Sequence, residues 1–326
     1  MGTFFCIYSG LDCDESERST EHIVPVAIGG PDALTVDDVS TKANNDAGRR
    51  ADASLVDSLV IKIERWRHAI EGRNGVPDVN LDGMVDVGGA KIRAKLRIGA
   101  SADEDQLWIQ PSVKRVAKGQ YEISCHANDR ERILADIQRK NGGEPLRMQT
   151  TAATSVTTIE MSPAYREDEL WRGFVKMALA TGRRVLGAEW ARGETAAVLR
   201  AALSSPDGAD WSAMPIRGKI WPHTGEDQDR FNRVMSCGED RHVLLVVNTD
   251  DVVAFNALLF GKYNGTVQLT THRWPGFELG HAMVVDPTKR ALVELPADDF
   301  VLRRLRRDPP CENAPAPPRE IMTDRL

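Results

Sequence analysis

The spacing of apolar residues changes along the chain, and this change restricts the fold more than any other feature of the sequence. Between about residues 39 and 70, apolar side chains recur at the three- and four-residue spacings of a helix. Between about residues 75 and 160, apolar and polar residues alternate, as they do along strands. Two further helical segments follow, and after them a series of short strand-like segments. Helices and strands that occur in separate runs predict an α+β fold.

The length of the chain, 326 residues, is typical of two or three folding units. We place boundaries near residues 60 and 160, where the spacing of apolar residues changes. The predicted division is an N-terminal region of two strands and a helix, a β-rich middle region, an α+β C-terminal domain and a proline-rich tail. These regions span residues 1–60, 61–160, 161–307 and 308–326.

Glycine residues locate several turns within these regions. A β element is predicted over residues 21–30, closed by a Gly-Gly turn, and Gly48 either interrupts the following helix or splits it in two. In the middle region, a Gly-Gly pair at 88–89 predicts a hairpin. The first helix of the C-terminal domain is expected to begin near Ser162 and to end at Gly182.

The composition excludes several classes of protein. A net charge of −6 argues against a protein that coats nucleic acid through bulk electrostatic attraction, although it permits a local basic face. No apolar run approaches the roughly 18 residues of a membrane span, and the first residues lack the pattern of a signal peptide, so we expect a cytoplasmic protein without a membrane partner. The five cysteines are scattered and odd in number, which is typical of reduced thiols. The sequence contains no phosphate-binding loop, serine-hydrolase elbow or dinucleotide fingerprint.

The residues most suited to chemistry lie near the N-terminus. Glu21 directly precedes His22, and Asn44 and Asn45 follow about twenty residues later. On a regular strand, adjacent side chains point to opposite faces, so Glu21 and His22 share a site only if the strand ends there and the backbone turns. A neutral imidazole takes a proton from water near pH 7, and carboxylate and amide oxygens bind hard divalent cations. We therefore assign His22 as a general base and Glu21 with Asn44 as metal ligands for phosphodiester hydrolysis.

The order of these residues resembles that of the HNH endonucleases. The matching segments, within about residues 3–52, are Cys-Ile-Tyr at 6–8, Glu-His-Ile-Val-Pro at 21–25, Gly-Gly at 29–30 and Asn-Asn-x-x-Gly at 44–48. The resemblance implies a ββα module around one Mg²⁺ or Mn²⁺ ion, with His22 as the general base and Glu21 as a metal ligand. It also implies an asparagine at the start of the helix; Asn44 matches, and Asn45 is the neighbouring alternative and a second candidate catalytic residue.

The chain departs from the HNH pattern at two places. Many HNH proteins hold a structural zinc with two Cys-x-x-Cys knuckles, of which only one cysteine is present here. The corresponding positions are Cys6, Ser9, Ser40 and Ala43. Because a structural zinc needs four ligands, we expect apolar packing in its place. The asparagine that orients the histidine in the family has no clear counterpart, although an acid in that region can accept the imidazole N–H. The residues of that region are Thr35, Asp37 and Asp38.

Nucleic-acid binding needs cations, and the N-terminal region has few of them. Residues 1–60 contain four basic and eleven acidic side chains, a balance that is unfavourable for binding a polyanion. Two sets of cations are candidates: one directly follows the asparagines, and the other alternates with apolar residues along a predicted strand. They are Arg49 and Arg50, and Lys91, Arg93, Lys95 and Arg97. The second set would lie on one face at a spacing of about 6.6 Å, close to that of phosphates, but the solvated outer face of an antiparallel sheet has the same pattern.

These features predict a metal-dependent endonuclease that hydrolyses DNA, with RNA as an alternative substrate. The other hypothesis is a catalytically degenerate HNH-type protein that binds DNA or has a regulatory role without cutting. The tryptophans, Trp108 among them, are expected to be core residues, and five further histidines are expected to be structural. These histidines are His126, His223, His242, His272 and His281.

Overall fold

A computed structural model describes most of the chain between residues 2 and 305. The described ranges are 2–87, 90–99, 106–117, 120–125, 127–142, 159–161, 167–206, 234–237 and 240–305. Their mixture of helices and strands confirms the predicted α+β class. The chain forms two compact units, one of residues 1–76 with 165–326 and the other of residues 77–164. This partition differs from the predicted one, because the predicted N-terminal region shares a unit with residues 165–307 of the predicted C-terminal domain.

Two short antiparallel hairpins open the first unit. Strand β1 (Thr3–Phe5) pairs with β2 (Asp12–Asp14). Strand β3 (Arg18–His22) pairs with β4 (Thr35–Ser40), and the register shifts within β3. The second hairpin brings the end of β3 and the start of β4 side by side.

Strand β3 ends earlier than the sequence predicts. The predicted β element over residues 21–30 is wrong beyond His22, because Val26–Ile28 forms a 3₁₀ turn. Pro25 has no amide hydrogen to give to a strand ladder, and Gly29 adopts a φ of 89°, which reverses the chain. The segment therefore forms a compact loop instead of extending the strand.

A segmented helix follows β4. Its segments are α1 (Thr41–Ala47), a π-helical turn (Gly48–Asp52), α2 (Ala53–Asp57) and α3 (Leu59–Arg67). Ser40 Oγ accepts a hydrogen bond from the Ala43 amide at 3.3 Å and caps α1. Gly48 begins the π-helical turn and so interrupts the regular helix, while the break between α2 and α3 comes at Ser58, whose ψ is 139°. The helix starts at Thr41, later than the predicted residue 39.

Two helices open the C-terminal part of the first unit, α5 (Glu167–Arg192) and α6 (Glu194–Leu203). Helix α5 continues past the predicted end at Gly182 and breaks at Gly187, where φ is 90°. A side chain at Gly182 would collide with the ring of Trp190. Gly182 is therefore required for the close packing of the indole against the helix and not for its termination.

An antiparallel sheet of five strands completes the first unit. The strands are β11 (His242–Asn248), β12 (Val253–Leu259), β13 (Tyr263–Gln268), β14 (Gly280–Asp286) and β15 (Ala291–Pro296). Their order in the sheet is β13-β12-β11-β14-β15. Helix α7 (Ala297–Leu305), which the sequence analysis did not predict, packs against β11, β14 and β15.

Helix α5 packs against elements from both sequence segments of the first unit. It packs against β4 and α2 on the N-terminal side and against β12 and β13 of the sheet. Gly173 and Gly265 allow these contacts, because a Cβ at either position would lie 2.9 Å from Leu55 or 2.7 Å from the ring of Phe174, respectively. Phe174 and Leu55 are both fully buried in the same core. The N-terminal hairpins and the sheet therefore share one core.

The second unit contains two small sheets and a helix. Its elements are β5 (Val79–Val87), β6 (Ala90–Ile98), β7 (Gln106–Ile109), β8 (Ser112–Ala117), β9 (Gln120–Ser124), α4 (Arg130–Lys140) and β10 (Ile159–Met161). The first sheet has the order β10-β5-β6-β7, and β8 pairs with β9. Pairing of β5 with β6 confirms the predicted hairpin, although its Gly-Gly turn lies outside the described residues. The tail and the predicted helix start near Ser162 also lie outside them, as do His126 and His223.

Candidate functional site

Strands β3 and β4 and helix α1 form a frame around the predicted site residues. His22 is the last residue of β3 and lies opposite Thr35, the first residue of β4. Asn44 on α1 reaches back to β3, where its amide nitrogen donates to Ser19 Oγ at 3.1 Å and to the Thr20 carbonyl at 3.2 Å. The chain thus folds locally as strand, strand and helix, with the helix held across the strand that ends in the Glu21-His22 pair.

Hydrogen bonds connect the four positions that correspond to zinc knuckles. Sγ of the buried Cys6 accepts hydrogen bonds from the backbone amides of Ser9 at 3.5 Å and of Ser40 at 3.3 Å. Ser40 in turn caps the amide of Ala43. Although burial opposes the shift, these hydrogen bonds lower the pKa of the Cys6 thiol. Residues 34 positions apart in the sequence, Cys6 and Ser40, are therefore linked through one sulfur.

His22 has a carboxylate partner that leaves one ring nitrogen available. Its Nε2 lies 3.0 Å from Asp32 Oδ1, and its side chain is 28% exposed. An ionised carboxylate only accepts hydrogen bonds, so the imidazole donates from Nε2 and the lone pair is on Nδ1. A neutral histidine in this tautomer can accept a proton from water at Nδ1.

Asp32 is a site residue that the sequence analysis missed. The predicted orienting acids have other partners: Asp37 accepts from the Thr20 hydroxyl at 2.9 Å, and Asp38 pairs with Arg18 and Arg183. Asp32 lies in the turn between β3 and β4, and the pairing of these strands returns that turn to His22. The Gly-Pro-Asp turn at residues 30–32 could have indicated the contact between Asp32 and His22. When two strands pair as a hairpin, the end of the connecting loop returns to the residue where the first strand ended.

Glu21 points to the opposite side of β3, into the core of the first unit. It is 6% exposed, and its carboxylate contacts the ammonium of Lys176 on α5. Lys176, only 1% exposed at its side chain, also lies 2.5 Å from Asp52 Oδ2 on the π-helical turn. Glu21 therefore does not fit an open metal site in this geometry, because an ammonium already occupies the position next to it. Among the described residues, no three His, Cys, Asp or Glu side chains are grouped to hold a metal.

Burial and like charge shift the titration of this cluster. Burial raises the pKa of Glu21 and of Asp52, although the nearby Lys176 lowers both. Burial and the charges of these two carboxylates raise the pKa of Tyr8 well above its usual value. The cluster thus contains two carboxylates and one ammonium in an environment that disfavours an excess of negative charge.

Two of the other predicted site residues, Asn45 on α1 and Arg49 on the π-helical turn, face a shallow, open depression. Asn45 lines it together with Lys42, Asp46 and Arg49. Arg49 is 77% exposed and pairs with Asp46. Arg50 instead donates to the Ser204 carbonyl at the end of α6, at 3.4 Å. Of the two predicted phosphate contacts, Arg49 is the more accessible to a ligand.

The predicted basic strand is β6 of the second unit. Lys91, Arg93, Lys95 and Arg97 are all exposed and alternate with less exposed apolar residues. Acidic side chains lie beside this strand: Lys95 lies 3.5 Å from Asp82, and Arg97 lies 2.7 Å from Asp78. Trp108 lies opposite Lys95 on β7 and is 45% exposed, so the expectation that it is a core residue is wrong.

Comparison with known proteins identifies no relative. No family model, no curated protein and no solved structure matches the chain. Within the part of the chain that the structure describes, no helix is both long and apolar enough to span a membrane.

Proposed function

We propose that residues 3–52 form the catalytic module of an HNH-type endonuclease that hydrolyses phosphodiester bonds in DNA, with RNA as the alternative substrate. The observation that supports this proposal best is the strand–strand–helix frame with the His22–Asp32 pair at its strand end. Hydrogen bonds that link residues 6, 9, 40 and 43 in series support the same frame. A cytoplasmic location is part of the proposal.

In the proposed reaction, His22 takes a proton from water at Nδ1 as the water oxygen forms a bond to phosphorus and the bond between phosphorus and the leaving oxygen breaks. Asp32 fixes the tautomer and stabilises the imidazolium that forms. Arg49 is the candidate contact for a phosphate beside the depression, together with Asn45. A bound Mg²⁺ would supply positive charge at the leaving oxygen, with Asn44 as a candidate ligand. Glu21 would not ligate that ion in this geometry, because its carboxylate is paired with Lys176.

The proposal is tested with supercoiled plasmid in the presence of Mg²⁺, Mn²⁺ or a chelator. We expect the full-length chain to nick the plasmid, and His22→Ala to lower the rate by about 100-fold or more, the usual contribution of a general base. Asp32→Asn is expected to lower it by about 10-fold, because the imidazole loses its orienting partner. His272→Ala is the matched control, because His272 is exposed and lies far from β3 in the sequence. Nicking that persists at the wild-type rate in His22→Ala would contradict the assignment.

A second candidate function is favoured by the contact between Glu21 and Lys176. A module whose predicted metal ligand is paired with a buried lysine can bind nucleic acid without cutting it, in a binding or regulatory role. This function predicts that the chain retards DNA in a gel without nicking it. Arg93→Ala with Lys95→Ala tests whether the basic strand contributes, since loss of phosphate contacts weakens binding and its dependence on salt.

A further inference from the structure

A buried ammonium lies between two carboxylates near the proposed site. Lys176 Nζ contacts both Glu21 and Asp52, although the three residues come from β3, the π-helical turn and α5. The Lys176 and Glu21 side chains are 1% and 7% exposed, whereas that of Asp52 is 25% exposed, so the cluster approaches solvent through Asp52. This arrangement needs a cation, because a buried carboxylate without a partner is strongly unfavourable.

The ammonium does not satisfy all the oxygens of the cluster. Asp52 Oδ1 is buried without a hydrogen-bond partner among the described residues, whereas Glu21 Oε1 is in direct contact with the ammonium. Two carboxylates also carry twice the charge of one ammonium. Two carboxylates surrounding one cation are a donor set that a hard divalent cation accepts.

We infer that the Lys176 ammonium and a divalent cation compete for the Glu21 and Asp52 carboxylates, and that the ammonium holds the cation position in this structure. Lys176 thereby prevents Glu21 from binding a metal ion. This inference rests on the proposed function at one point only: that function explains why metal binding by a carboxylate next to His22 would be prevented. The competition itself concerns metal binding and is measured without nucleic acid.

The experiment titrates the full-length chain with Mn²⁺ alone and measures free Mn²⁺ by electron paramagnetic resonance. Lys176→Met removes the charge and keeps a long apolar side chain. We expect this variant to bind one Mn²⁺ at least tenfold more tightly than the wild type, and to gain thermal stability when Mn²⁺ is added. The double variant Lys176→Met with Glu21→Gln is the matched control and should return to the wild-type affinity. Equal affinity in the wild type and Lys176→Met, or a gain that survives in the double variant, overturns the inference.

A measurement on chains that retain Lys176 is independent of whether Lys176→Met folds. Because the ammonium excludes metal, Glu21→Gln alone should leave the Mn²⁺ affinity within twofold of the wild type. A tenfold loss in Glu21→Gln shows that Glu21 binds metal in the presence of Lys176 and overturns the inference.

Plasmid nicking separates this inference from the proposed function. A Glu21-dependent gain of Mn²⁺ affinity in Lys176→Met without any nicking supports the competition and counts against the endonuclease. Nicking that depends on His22, combined with no change in Mn²⁺ affinity in Lys176→Met, supports the endonuclease and rejects the competition.

Discussion

At the scale of single residues, His242 shows how a buried histidine can be structural and still respond to pH. It is fully buried at the start of β11, where Nδ1 accepts the Phe260 amide at 3.0 Å and Nε2 donates to the Ile28 carbonyl at 2.8 Å. Both ring nitrogens of the neutral imidazole are therefore satisfied. The bond to Ile28 links the loop after β3 to the sheet. The expectation of a structural histidine agrees with these contacts.

Protonation of His242 is expected to destabilise the fold. Burial lowers the pKa of His242 to about 4, and the nearby charge of His68 acts in the same direction, while the hydrogen bond to Ile28 and the charges of Asp240 and Asp286 oppose it. The folded pKa lies below the unfolded value of about 6.5, so the stabilisation is complete above pH 6.5 and is lost as the pH falls toward 4. The loss amounts to about 3 kcal/mol of unfolding free energy.

Urea unfolding between pH 4 and pH 7 checks this prediction. His242→Gln should remove most of the fall in unfolding free energy over that interval, because glutamine does not titrate. His272→Gln, at an exposed position, should retain the wild-type dependence. An unchanged dependence in His242→Gln would show that another group causes the loss.

At the scale of elements, local sequence signals predict local structure well and long-range contacts poorly. The hairpin of β5 with β6 follows from the alternation of apolar and polar residues, within a few residues. The partners of Glu21 and His22 depend on the turn before β4 and on α5, the latter more than 150 residues away. Spacing along one element contains no information on such contacts, which is why the predicted metal site on Glu21 differs from the observed ion pair.

The hydrogen bonds that link Cys6 to Ser9 and Ser40 lead to a prediction at the same scale. Replacing the other three knuckle positions with cysteine, as Ser9→Cys, Ser40→Cys and Ala43→Cys, should create a four-thiolate site, because hydrogen bonds already bring these segments together. We expect this variant to bind one Co²⁺ or Zn²⁺ tightly and to show the visible absorption of tetrahedral thiolate Co²⁺. Adding Cys6→Ser should abolish that absorption. A triple variant that binds no Co²⁺ would show that the four side chains do not converge on one point.

At the scale of the whole molecule, the first unit is built from two distant parts of the sequence. The apolar patterns of each part are visible in the sequence, but nothing in them shows that α5 packs against both β4 and the sheet. The predicted boundary near residue 160 lies close to the observed return of the chain at residue 165. The shared core was missed because packing between distant segments leaves no periodic signal.

Residues 1–76 are therefore expected not to fold alone. Without α5, fully buried side chains such as Leu55 and Ile61 lose part of their cover, and the Glu21 carboxylate loses its ammonium partner. Circular dichroism and amide proton dispersion of this fragment should be those of an unfolded chain, whereas the full-length protein should show a cooperative thermal transition. A fragment with dispersed amide signals and a cooperative transition would contradict the shared core.

The ion pair between Glu21 and Lys176 also has a consequence for synthesis. The ribosome must add more than 150 residues after Glu21 before Lys176 appears. At about 5–20 residues per second, the nascent chain carries an unneutralised Glu21 for on the order of ten seconds or more. During translation the N-terminal segment, which is not yet folded, is thus exposed to the ions of its surroundings, and the electrostatic partner of Glu21 arrives only after the whole inserted unit has been made.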